Sequence, residues 1–142
     1  MCNVTNAGGS FLLEGSLVLD VPQGAVPQGT SVTITAIAVT QQPQVASGYT
    51  VHKVWQIDGN KSLPLTTAAN LNHPLVGGLT TDEKLRFYSH KDNISGSIPC
   101  NWNPRPESPL GDAYVDGGTG NLPPDGPSNP SFRSFLCLVQ IP

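Results

Sequence analysis

With 142 residues, 12% of them charged, and a formal net charge of −3, the chain suits one domain that buries roughly two-thirds of its unfolded surface, and it has no basic patch for nucleic acid or an anionic membrane surface. Lysines and arginines are scattered singly from Lys53 to Arg133. Its 15 glycines and 14 prolines cut it into short segments, so no apolar run approaches the roughly 20 residues of a membrane span.

Met1 to Ser10 reads as a short polar arm made flexible by Gly8-Gly9, and strand-like order starts at Phe11-Leu12-Leu13. From Gly15 to Val39 the pattern is a strand, a crossing and a longer strand. Leu17, Leu19 and Val21 share one face, and Val32 and Ile34 point to a core. Between them Pro22-Gln23-Gly24 and Pro27-Gln28-Gly29 are two similar turns, in which Pro presets φ and Gly supplies positive φ. Gln41 to Gly48 is a polar loop, after which Tyr49 to Ile57 resumes alternation; adjacent Val54 and Trp55 require a bulge or a strand buried on both faces. Asp58-Gly59 is a turn.

Leu63-Pro64-Leu65 reads as a short edge strand, because Pro64 donates no ladder bond, and Thr67 to Leu71 as a helical turn. Leu85 and Phe87 face one way and Arg86 and Tyr88 the other, the pattern of a half-buried strand. Ser95 to Cys100 and Trp102 pair with it across Lys91-Asp92-Asn93. From Asn103 onward prolines and glycines recur too often for regular structure, apart from a short strand at Ala113-Tyr114-Val115. Phe132 to Ile141 is apolar at nearly every position from Phe135, which marks a central strand buried on both faces. The expected fold is an all-β antiparallel β-sandwich: an arm over 1–10 and one domain over 11–142, with a long Pro/Gly-rich loop at 103–131 and a C-terminal strand at 132–142.

The run Leu17 to Gly29, L-x-L-x-V-P-x-G-A-V-P-x-G, resembles the opening of a ZU5 domain, the β-sandwich module of netrin receptors, ankyrins and related scaffold proteins. Later segments keep a compatible order: Lys53-Val54-Trp55, Pro74-Leu75, and Leu85-Arg86-Phe87-Tyr88. The resemblance implies a sandwich and a role in protein interaction, and its better-known relatives are intracellular scaffolds. Some similar domains cleave themselves at a Phe-Ser bond with a nearby His. Here Ser131-Phe132 and Ser134-Phe135 place Ser before Phe, so self-cleavage is not expected.

Asn3-Val4-Thr5, Asn60-Lys61-Ser62 and Asn93-Ile94-Ser95 satisfy the N-glycosylation pattern, whereas Pro130 excludes Asn129. Of three cysteines, Cys100 ends a strand-like segment and Cys137 sits in the last strand, so a bridge between them would tie down the intervening loop. Chain entropy makes such a bridge worth roughly 3–4 kcal/mol. Cys2 is then free or intermolecular; the alternative is three buried thiols in a reducing cell. A sharper reading has Phe135, Leu136, Leu138, Val139 and Ile141 complete a neighbour's sheet, building a homopolymer that Cys2 cross-links; the plainer one makes them an ordinary internal strand.

No cofactor or metal is expected: Asp112, Asp116 and Asp125 share a Gly-rich loop but lack EF-hand spacing, and no zinc pattern exists. His52, His73 and His90 lie on separate segments and no G-x-S-x-G elbow is present. Trp55, Trp102, Tyr49, Tyr88 and Tyr114 are the rings available to a sugar platform, with both tryptophans expected in the core. These features point to a non-enzymatic extracellular structural or interaction module, glycosylated and assembling into a surface polymer or filament by strand addition. The start lacks a signal-peptide plan, so such a module would be a mature form or an excised piece. The alternatives are an intracellular ZU5-type scaffold, and a carbohydrate-binding module.

Overall fold

Alternation with period two builds strands along most of the chain, and a computed structural model describes residues 1–91, 103–104, 114–124 and 130–142. The strands are β1 (Cys2–Val4), β2 (Gly9–Glu14), β3 (Leu17–Val21), β4 (Val32–Ala38), β5 (Thr50–Gly59), β6 (Leu63–Pro74), β7 (Leu85–Lys91), β8 (Asn103–Pro104), β9 (Tyr114–Leu122) and β10 (Phe132–Gln140), with no helix among the described residues. They form a six-stranded sheet in the order β1-β4-β5-β10-β7-β8 and a four-stranded sheet in the order β2-β3-β6-β9. Every pairing is antiparallel. The chain is therefore an all-β antiparallel sandwich.

The faces follow from the pattern. Leu17, Leu19 and Val21 of β3 and Leu71 of β6 meet Val32, Ile34, Trp55, Ile57, Phe87, Leu136 and Leu138 of the larger sheet in one buried cluster. On the opposite face of that larger sheet Val54, Phe135, Cys137 and Val139 form a second buried cluster. Adjacent Val54 and Trp55 thus serve two clusters, as a strand buried on both faces requires. A register shift does occur in β5, opposite Leu138/Val139. The C-terminal strand β10 lies between β5 and β7, the central place its apolar run implied.

The crossing between β3 and β4 carries its two turns as read. Ala25 N–H donates to Pro22 O and Thr30 N–H to Pro27 O, each at 3.2 Å. Gly24 (φ 85°) and Gly29 (φ 79°) take the third position, where only positive φ closes the turn. Ala25 and Val26 between them are fully buried, so the crossing closes over the sandwich rather than looping into solvent.

Four expectations are corrected. Residues 1–10 are not an arm: β1 pairs with β4, and Gly9-Ser10 open β2, because Val4 gains complete burial there. Thr67 to Leu71 is extended rather than helical. Ala69 and Leu71 are buried against the core, β9 pairs with Ala69 to Leu71 and β3 with Asn70 and Leu71; tertiary pairing outweighs the local preference. Leu63-Pro64-Leu65 opens a 12-residue strand, and β3 reaches only Asn70 to Asn72, so among the described residues Pro64 has a single partner strand, β9. The expected loop over 103–131 contains the nine-residue β9; its residues 105–113 and 125–129 lie outside those described.

Candidate functional site

Two of the three sequon asparagines meet at one residue. In β1, Val4 points to the core, which turns Asn3 outward beside Thr33 in the Asn3↔Thr33 pair. Asn60 follows the last residue of β5, Gly59, which pairs with Ile34. Thr33 N–H donates to Asn60 Oδ1 at 2.8 Å and Asn60 N–H donates to Thr33 O at 3.2 Å. The Thr33 hydroxyl lies 3.4 Å from Asn3 Oδ1. Asn3 and Asn60 are both exposed. The third sequon asparagine, Asn93, lies outside the described residues.

The cysteine and assembly residues fall elsewhere. Cys2 is half-buried against the core, and burial pushes its thiol pKa up, although the N-terminal charge and a hydrogen bond with the Ile34 backbone pull the other way. Cys137 is fully buried in the second apolar cluster. Cys100 lies outside the described residues, so the Cys100–Cys137 bridge does too, and no disulfide joins the described residues. The assembly reading of Phe135, Leu136, Leu138 and Val139 is corrected: all four are buried in β10, whose two edges are already bonded to β5 and β7. Ile141 N–H donates to Lys84 O at 2.8 Å. An apolar strand in the middle of a sheet has no free ladder groups to lend to a neighbour.

The aromatic candidates divide. Trp55 is fully buried, donates from Nε1 to Glu14 Oε2 at 2.9 Å, and packs beside His73 and Phe87 with ring centroids 5.5 and 6.5 Å away. It is a core ring. Tyr49 and Tyr114 are exposed, and burial raises the pKa of half-buried Tyr88, with Tyr49 adding to the rise. Trp102 lies outside the described residues.

The histidines sit on three strands, His52 on β5, His73 on β6 and His90 on β7. His52 Nε2 is 2.9 Å from Gln140 Oε1. His73 is 4% exposed; its Nδ1–H donates to Pro74 O at 2.7 Å and its Nε2 is buried without a hydrogen-bond partner. That arrangement holds the neutral ring. Burial lowers the His73 pKa, Lys53 lowers it further, and the Pro74 carbonyl and Glu14 oppose the fall.

A polar patch was not anticipated. Asp20 accepts from the Ser10 hydroxyl and from Asn72 Nδ2, and beside it an open cleft of about 300 Å³ is lined by Gly9, Ser10, Asp20, Val21, Pro22 and Asn70. Asp116 is buried on β9 opposite Asn72, whereas Asp112 and Asp125 lie outside the described residues. Among the described residues no group of three or more His, Cys, Asp or Glu side chains is placed to hold a metal. The cleft carried a faint signal in advance: Asp20 and Asn72 occupy the polar positions of strands whose alternate residues are Leu19 and Leu71. No protein-family model matches the chain, and a search of the curated proteins finds no match.

Proposed function

We propose that the chain is a non-enzymatic extracellular interaction module, glycosylated at its sequons and related in plan to ZU5 sandwiches. The observation that carries this reading is the exposure of both described sequon asparagines, Asn3 and Asn60, on ordered backbone at the surface of a weakly charged domain. A glycan added there meets solvent rather than core. The low charge supports the same compartment, since hydroxyl and amide groups replace the ionic surface usual for cytosolic domains. Assembly by strand addition, the finer part of the reading, would need an uncovered sheet margin; β1 and β8 end the larger sheet and β2 and β9 the smaller among the described residues.

The test is the intact mass of the protein from its natural source, before and after peptide N-glycosidase. A loss of glycan mass is expected. A mass equal to the bare chain would overturn the extracellular reading and favour an intracellular scaffold that engages protein partners.

A further inference from the structure

Resting on the extracellular reading, we infer that Asn3 and Asn60 both carry N-linked glycans and that the one on Asn3 closes the β1 edge of the larger sheet to strand addition. The backbone geometry at Thr33 decides which way the edge faces. Thr33 directs its N–H and C=O to Asn60, on the side away from β1. In an antiparallel ladder this makes Asn3↔Thr33 a non-hydrogen-bonded pair, in which side chains approach most closely, and the Thr33 hydroxyl indeed lies near Asn3 Oδ1. The N–H and C=O of Asn3 therefore point away from β4. Since β1 is the last strand on its side among the described residues, these are the groups an incoming strand would bond, and such edges invite association unless covered.

The side-chain geometry leaves the right atom for modification. Thr33 N–H is only a donor, so the Asn60 amide must present Oδ1 to it; Nδ2 is left on an exposed residue. Asn3 likewise uses Oδ1 toward Thr33. Glycosylation forms a bond from Nδ2 to the anomeric carbon of an oligosaccharide. The carbon–oxygen bond to a lipid pyrophosphate breaks, the pyrophosphate leaves with the electron pair, and one amide proton passes to a base of the transferase. Oxidation states do not change. Each Oδ1 contact survives the reaction, so the modified corner keeps its ladder. Thr5 and Ser62 supply the hydroxyl residue that each sequon needs. One branched sugar would then stand on the edge strand itself, on Asn3, whose own backbone is open, and the other on the far side of Thr33.

Two measurements on the full chain test this. Site mapping of the naturally sourced protein, by conversion of glycosylated Asn to Asp with peptide N-glycosidase in heavy-oxygen water, should label both Asn3 and Asn60. Label at Asn93 alone would overturn the inference and leave the extracellular reading standing, whereas no label at any site would remove both. Sedimentation of the chain secreted from a eukaryotic host should show a monomer. The N3Q variant, which keeps an amide of similar polarity but no glycan, should shift toward dimers and larger species at the same concentration. If N3Q remains as monodisperse as the glycosylated chain, the edge needs no cover and the inference fails.

Discussion

The two ends of the chain both become strands of the larger sheet, yet they occupy opposite situations. β10 is hydrogen-bonded on both sides, to β5 and β7, and buried on both faces at Phe135, Leu136, Cys137, Leu138 and Val139. Among the described residues β1 has one partner strand, and it has one fully buried residue in Val4 and an exposed Asn3. Apolar sequence therefore marks the place where the domain is already complete, and polar sequence marks the place where it is open. An assembly surface is better sought where backbone groups lack partners than where side chains are most hydrophobic.

Leu136→Ala gives the largest expected effect, because the side chain is fully buried at the centre of the sandwich. Emptying such a site costs about 2–5 kcal/mol, seen as a lower urea midpoint with an unchanged slope. Asn3→Ala in the unglycosylated chain should stay within about 0.5 kcal/mol, as exposed substitutions do. Equal losses at the two positions would dissolve the contrast between centre and edge.

Gly59 joins the two situations, pairing with Phe132 of β10 on one side and with Ile34 of β4 on the other. A methyl group there would overlap the Phe132 ring. Gly59→Ala should therefore destabilise by about 1–3 kcal/mol, the usual cost of overpacking, and Gly59→Ala combined with Phe132→Leu should recover part of it. No recovery would mean that the glycine serves the backbone and not the ring.

The sandwich interior also holds a buried histidine. His73 lies beside Trp55, with its folded pKa lowered from 6.5 chiefly by burial. The unfolded chain thus takes up the proton first, so stability is full above about pH 6.5 and falls as the pH drops toward the depressed folded value. The urea midpoint should decline between about pH 7 and about pH 5, above the range where most carboxylates protonate, and His73→Gln should flatten that decline. An undiminished slope in the variant would place the pH response elsewhere.

How much of this was legible depends on how each feature is encoded. The centre of the sheet could be read because β10 is apolar at successive positions, and the two crossing turns because Pro22 and Pro27 fix φ while Gly24 and Gly29 admit positive φ. Of β9 only the start could be read, at Tyr114-Val115 of the expected short strand: Gly117, Gly118 and Gly120 carry no side chain from which to read alternation, and pairing with β6 supplies what the local pattern lacks. Ala68 and Ala69 misled for a related reason, since alanine favours a helix only until a sheet offers burial. The sequons were visible as tripeptides, but their convergence was not. It depends on the register of β1 against β4 and of β4 against β5, each a contact between residues far apart in the chain.

That convergence can be tested by the effect of a single exposed hydrogen bond. Asn60 lends Oδ1 to Thr33 N–H just beyond the last residue of β5, acting as a side-chain extension of the β4–β5 ladder. Asn60→Ala removes the acceptor on an exposed surface where water replaces it, so the unglycosylated chain should lose only about 0.5–1.5 kcal/mol. Asn60→Asp keeps an oxygen in the same place and should lose less than Asn60→Ala, with salt making little difference if the contact is a hydrogen bond rather than a charge effect. This pair of variants separates the two atoms of one amide. If Asp proves as damaging as Ala, Nδ2 is the atom holding the corner, and a glycan attached there would disrupt the ladder it is supposed to shield.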